Sequence, residues 1–288
     1  MNDQASALRT AAARAAAAAR APRSSAGGFS DGASNDASTR AIVVGGGKGG
    51  AGVSVLSVLL ASAIARSGQR VLLLDATLNM GNLHVLLSRP PGYTLRAVLA
   101  GEAAPHELVI PAGERLWLLP AESGAEALHA LTAMDRARLY VRLTALMDDY
   151  DVTVVDAGTG LDTVLRAALT RASRLVAVTT PDPAALADTY ALIKMVSLEA
   201  PALPVDVLVN RVRDAAEGEA AWQRLEGAAA RFLGRTLGWL GALPEDEQLL
   251  RAVRESRSLL ELDDRVAPMA RGLLASLDPA SLEAKASA

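Results

Sequence analysis

The stretch at residues 45–55 reads GGGKGGAGVSV. Its residue types suit a phosphate. Gly47 and Gly52 stand at the two glycine positions of G-x-x-x-x-G-K-[ST], and Ser54 stands at its hydroxyl. Glycines let consecutive backbone N–H groups converge on phosphate oxygens, and the dipole of a following helix adds positive potential there. The hydroxyl of such a loop ligates magnesium. The lysine position holds Val53, which offers neither charge nor donor; Lys48 is the one cation of the stretch. A glycine-rich turn that binds nothing has the same composition. The apolar run Ala41–Val44 before the loop and the helix-like VLSVLLASAIARSG after it favour phosphate. Two acids close apolar runs downstream, Asp75 in VLLLD and Asp156 in VTVVD. Either one alone reads as an ordinary strand-end acid.

The elements that must position these residues alternate. Strand-length apolar runs fall at 41–45, 71–75, 116–119, 152–156, 175–179, 205–209 and 237–243. Most are continuous rather than alternating, as strands covered on both faces are. Helix-length segments fall at 54–67, 125–131, 135–148, 161–171, 183–198, 218–232 and 246–255, with Gly68 and Arg66 as stop signals for the first. The expectation is an α/β fold with a doubly wound, mainly parallel sheet of about seven to eight strands. Ligands bind at the carboxyl ends of strands in such folds.

The chain has 288 residues, 51% of them hydrophobic, enough for one large core. It has no cysteine, so thiolate metal sites and disulfides are excluded. A net charge of −3 argues against nucleic acid as a partner. No apolar run approaches the roughly 20 residues of a membrane span. Residues 1–22 are alanine-rich with interspersed arginines, and 23–39 are a Ser/Gly/Asn/Asp mixture that reads as a linker. The expected organisation is therefore an arm at 1–22, a linker at 23–39, a domain at 40–260 and a helical tail at 261–288.

Lys48-Gly49-Gly50-Ala51-Gly52 resembles the deviant loop K-G-G-x-G-K-[ST] of the MinD/ParA family of P-loop ATPases. The resemblance implies that Lys48 reaches a dimer partner's phosphates and that Val53 replaces the lysine serving the subunit's own nucleotide. Asp75 through Asn82 resembles D-x-D-x-G-x-x-N, with Thr77 in place of the water-orienting aspartate and Asn79 in place of a glycine. Asp156-Ala157-Gly158-Thr159-Gly160 resembles the segment near magnesium. Asn210-Arg211 and Leu243-Pro244-Glu245-Asp246 resemble the family's two base-contacting segments. Within the family the resemblance is to the flagellar MinD-like proteins (FlhG/FleN/YlxH type), through GNLHVLL, GYTLRAVLAGE, the segment 119–124 and the segment 180–194.

The resemblance implies Lys48, Asp75 and Asp156 as catalytic positions. It implies Gly47 through Ser54, Asn210, Arg211, Pro244 and Glu245 as nucleotide contacts, with Ser54 and Asp156 at magnesium. Because Val53 and Thr77 carry no charge, ATP and magnesium are expected to bind weakly, with weak or no hydrolysis. The start MNDQASALR resembles the flagellar family's D-Q-A-x-x-L-R through Asp3, Gln4, Ala5, Leu8 and Arg9. That motif implies FlhF, a signal-recognition-type GTPase, as partner, with this chain as its activator and as a flagellar placement and number regulator. A nucleotide-dependent homodimer is implied as well. The alternative is an active MinD/ParA-type ATPase switch in chromosome partitioning or division-site selection. Acids outnumber bases in 259–288, which disfavours membrane attachment by the tail. The expected location is the cytoplasm, with recruitment to the membrane or a cell pole through a partner.

Overall fold

The computed structural model describes residues 40–277 apart from 78–80, 90–91, 93–96, 99–101, 122–131, 133, 135–140, 143–144, 160–171 and 256–258. The strands are β1 (Arg40–Gly46), β2 (Val71–Asp75), β3 (Ile110–Gly113), β4 (Leu116–Leu119), β5 (Val152–Thr159), β6 (Ala172–Thr179), β7 (Val205–Val212) and β8 (Gly238–Pro244). They form one sheet in the order β3-β4-β2-β5-β1-β6-β7-β8. Every pairing is parallel except the β3–β4 hairpin at one edge. The doubly wound, mainly parallel sheet expected from the sequence is present. The described helices are α1 (Val53–Arg66), α2 (Leu83–Leu86), α3 (Pro183–Glu199), α4 (Ala215–Leu233), α5 (Glu247–Arg254) and α6 (Ala267–Leu277).

The pleat sorts the strands between two cores. Ala41 and Val43 of β1 face a core shared with Leu192, Ile193 and Val196 of α3 and with Ala221 and Leu225 of α4. Ile42 and Val44 face the other, with α1, α5 and α6. Buried side chains run almost unbroken from Val53 to Ala65, so α1 is apolar nearly all round. A helix of that kind must be covered on its outer side as well. Residues 259–275 supply the cover: Leu259, Val266, Ala270 and Leu273 are all buried in the same cluster. Arg66 fastens it, with Nη2 donating to the Leu260 carbonyl at 2.8 Å and Nε lying 2.9 Å from the buried Asp263 carboxylate. The first part of the expected tail belongs to the domain's core, because α1 has no polar face to leave open.

The seven strands expected from the sequence are found. β3 adds the eighth; its four residues include Pro111, which an edge position tolerates. The helices expected at 183–198, 218–232 and 246–255 are α3, α4 and α5. Gly68 has φ +97°, the left-handed conformation expected just past the end of α1. The helices expected at 125–131 and 161–171 and most of 135–148 lie outside the described residues, as does everything before Arg40. Among the described residues, no helix is long and apolar enough to cross a membrane.

Truncating Leu273, 1% exposed, to alanine should cost about 3 kcal/mol. Truncating Leu198, 77% exposed on α3, should cost little. Urea unfolding of the two variants checks the assignment; a silent Leu273→Ala would mean that the tail is not core.

Candidate functional site

β1 lies inside the sheet, between β5 and β6, and the chain winds outward from it in both directions. The loop 47–52 leaves its carboxyl end at that switch point and runs into α1. Two glycines are required by space. A Cβ on Gly47 would fall 2.0 Å from the backbone carbon of Asp188, so the loop's root lies directly on α3. Gly52 has φ +93°, and a Cβ there would fall 2.5 Å from the Asn210 amide nitrogen. Lys48, Gly49 and Gly50 are exposed, and nothing lies within 4 Å of where a Cβ on either glycine would be. The result is an open backbone rim at the amino end of a 14-residue helix, which suits an anion.

Neither loop side chain that matters points freely into this rim. Val53 is 6% exposed and belongs to the apolar cluster around α1, with its Cγ2 2.8 Å from where a Cβ on Gly46 would lie. Lys48 is half exposed, and its ammonium lies 3.2 Å from Asp182. Asp182 also caps α3 by accepting from the Ala184 N–H at 3.0 Å. Those two hydrogen bonds hold the Asp182 carboxyl below the usual carboxylate range, the capping bond most.

The acids meet on the other side of β1. Asp75 and Asp156 are register partners on the adjacent parallel strands β2 and β5, and both are buried. Asp75 Oδ1 accepts from the Thr77 N–H at 3.1 Å and from the Thr77 hydroxyl at 2.5 Å; its Oδ2 accepts from the Leu83 N–H at 3.3 Å. Burial pushes the Asp75 carboxyl up all the same. Asp156 Oδ1 accepts from the Gly158 N–H at 3.0 Å, while its buried Oδ2 has no hydrogen-bond partner. Burial raises the Asp156 carboxyl from the usual 3.8 to about 6, against the lowering effect of the neighbouring Ser54 hydroxyl and of the Gly158 N–H. An orphaned buried carboxylate oxygen beside a second acid and a helix-start hydroxyl is a donor set that fits a hard divalent cation. Asp156, Ser54 and Asp75 are therefore the residues that would hold magnesium. Among the described residues, no group of three or more His, Asp or Glu forms a metal cage.

The base-contacting candidates come from the other wing of the sheet. Asn210 and Arg211 lie among the last three residues of β7, and Pro244 ends β8 next to Val212. The Glu245 N–H reaches the Val212 carbonyl at 3.4 Å, and Asp246 caps α5 by accepting from Gln248 and Leu249. Asn210 is nearly buried; its amide donates to the Ala51 carbonyl at 2.9 Å. The structure thus gathers the loop, both strand-end acids, Asn210, Arg211, Pro244 and Glu245 at one edge of the sheet. Asn79 and the arm residues Asp3, Gln4, Ala5, Leu8 and Arg9 lie outside the described residues. Sequence reasoning missed the Lys48–Asp182 pair and the Asn210–Ala51 bond, which join residues 134 and 159 positions apart.

A family model described as an AAA domain matches residues 39–201. The antiactivator FleN of Pseudomonas aeruginosa is 34% identical over 224 residues, 77% of this chain and 79% of that protein. The chain belongs to the flagellar MinD-like family of P-loop proteins. The flagellum site-determining protein YlxH of Helicobacter pylori is 32% identical over 229 residues, 79% of this chain and 77% of that one. Among solved structures, the septum site-determining protein MinD of Pyrococcus horikoshii, complexed with Mg-ADP, superposes with a TM-score of 0.66. It covers 82% of this chain and 96% of its own at 23% identity, a likeness of fold. As a member of this family the chain has a degenerate phosphate loop, with Val53 in the lysine position.

The buried acid makes stability depend on pH in a direction opposite to that of a salt-bridged carboxylate. Asp156 keeps its proton in the fold up to about pH 6, whereas the unfolded chain releases it near 3.8. Its contribution is therefore complete below pH 4 and lost as pH rises through 6. Asp156→Asn should unfold like the parent chain at pH 4 and be more stable by on the order of 3 kcal/mol at pH 8. Denaturant unfolding at the two pH values measures this; a stability difference that does not change with pH would place Asp156 in a solvated setting.

Proposed function

We propose that this chain is a regulator of flagellar placement and number that binds ATP with magnesium weakly, hydrolyses it slowly or not at all, and acts through its amino-terminal arm on a signal-recognition-type GTPase of the FlhF kind. Support for the flagellar role comes from FleN and YlxH, an antiactivator and a flagellum site-determining protein, each matched over more than three quarters of its length. Support for nucleotide comes from the open backbone rim and the orphaned Asp156 oxygen beside it.

One observation carries the loss of hydrolysis: both positions where charge is missing are built into internal contacts. Val53 packs in an apolar cluster, and Thr77 is bound to Asp75 while its methyl lies 2.7 Å from where a Cβ on Gly158 would be. Neither is an open slot that a neighbouring cation or carboxylate enters. A charge-assisted hydrogen bond contributes roughly 1.5–3 kcal/mol, so its loss at the phosphates weakens binding about tenfold to hundredfold. Bound magnesium would neutralise charge developing on the phosphates. Asp156 and Ser54 hold the place for it, Asp75 is fixed by Thr77 and Leu83, and the loop orients the phosphates. Nothing among these groups takes the part of a residue that positions water by charge.

The arm keeps what the site has lost. Asp3, Gln4, Ala5, Leu8 and Arg9 all match the partner motif. The protein would work in the cytoplasm, reach the membrane or a cell pole through that partner, and dimerise when nucleotide is bound, with Lys48 leaving Asp182 for the partner's phosphates. An active partitioning or division-site switch is the competing reading, and turnover separates the two.

Steady-state phosphate release at saturating ATP and magnesium should be near background for the parent chain. Val53→Lys together with Thr77→Asp should raise it by more than the product of the single effects, since both groups act on one transition state. Parent turnover equal to that of a relative with both charged groups intact would overturn the reading. A peptide covering residues 1–22 should stimulate GTP hydrolysis by the partner GTPase without ATP, and Gln4→Ala should remove most of that stimulation. No stimulation at a saturating peptide concentration would reduce the arm to a tail.

A further inference from the structure

Asn210 stands where the family resemblance implies a base contact, yet its amide is already engaged with the phosphate loop. Its Nδ2 donates to the Ala51 carbonyl at 2.9 Å, and its Oδ1 accepts from the Arg211 N–H at 3.0 Å. A carbonyl needs a donor and an N–H needs an acceptor, so this amide orientation is the one that satisfies both. The bond crosses β6 from the last residues of β7 to the end of the loop that enters α1. Three further features are built around it. Pairing between β7 and β8 slips between Asn210 and Val212, and such bulges re-aim side chains. Arg211, whose N–H is bonded to the Asn210 side chain, takes φ +58°, uncommon for a residue other than glycine. Gly52 leaves the space that the amide fills.

We propose that Asn210 is a positioning residue for the phosphate loop, so that one side chain couples recognition of the base to the shape of the loop that receives the phosphates. A primary amide has two N–H donors and two acceptor lone pairs. One of each is used internally, which leaves one N–H and one lone pair for the edge of a purine. Base and loop therefore share the amide rather than compete for it. A base that fixes the amide also fixes the Ala51 carbonyl, and with it the turn from which the Gly52 carbonyl accepts the first helical N–H of α1, that of Leu56, at 2.9 Å. By linkage, a loop ordered on phosphate presents the amide to the base. The base lies at one end of the nucleotide and the loop at the other, so this coupling makes the two halves of the ligand bind as a unit.

The proposal rests on the nucleotide reading for only one of its two readouts. The first is amide hydrogen exchange in the ligand-free protein, comparing the parent chain with Asn210→Ala and Asn210→Asp. Aspartate keeps the acceptor for Arg211 but cannot donate to Ala51. Both variants should speed exchange at residues 51–56 about fivefold or more, with the interior amides of β2 and β5 unchanged. Unchanged exchange at 51–56 overturns the proposal whether or not ATP binds. The second readout is affinity for magnesium with inorganic tripolyphosphate, which has no base. Asn210→Ala should weaken it by about the same factor as a lost hydrogen bond, near fivefold. If ATP binding falls while tripolyphosphate binding is untouched, Asn210 is a base contact only and the coupling is wrong. A parent chain that binds neither ligand overturns the nucleotide reading, and the exchange experiment alone then decides the bracing role.

Discussion

Parallel pairing of β2 with β5 brings the Asp75 and Asp156 carboxylates side by side at the carboxyl edge of the sheet, out of water. The rest of the site is arranged around that burial of two acids. Thr77, Leu83, Gly158 and Ser54 all turn donors toward the pair, and burial still raises both carboxyls above their ordinary values. An unpaired buried charge is costly unless a counter-ion answers it. Lys48, the loop's only cation, is held by Asp182. The pair is thus a standing demand for a cation, and the open loop beside it supplies a place for the anion that such a cation would accompany.

Two substitutions relative to the family pattern look independent in sequence but balance in charge. Val53 removes a positive group and Thr77 a negative one, so the formal charge of the site is unchanged. Each replacement also does local structural work. Val53 extends the apolar packing of α1, and Thr77 satisfies Asp75 while resting against Gly158. A site that loses a cation and an acid together keeps its electrostatic balance and its fold while losing the groups that act on a transition state. Selection for a shape without selection for turnover would leave such a pattern. Under the proposed function, the backbone rim and the Asp156–Ser54 position need neither replaced residue, so binding would outlast hydrolysis.

The sheet was legible because its strands are continuous apolar runs, and most of their boundaries fall within about two residues of those expected. β3 was not, because four residues containing a proline carry no periodic signal. For 267–277 the sequence favoured a packed helix over an interfacial one, and the structure buries Ala270 and Leu273 against α1. What the sequence did not show is which helix demands that cover. The site residues could be named from motif order, but their partners could not. Asp182 and Ala51 reach Lys48 and Asn210 through the winding of the sheet, and no spacing in the sequence announces contacts between β1 and elements so far downstream.

The central claim of the proposed function is that this site binds a nucleoside triphosphate and hydrolyses it slowly or not at all. Single-turnover chemistry tests it most directly. The protein is mixed in excess over ATP with magnesium, quenched in acid over a time course, and the nucleotide separated and identified. The account predicts that ATP is recovered intact over many lifetimes of the complex, while equilibrium dialysis under the same conditions shows it bound. Conversion to ADP at the rate of a family member that carries both the loop lysine and the water-orienting aspartate would contradict it.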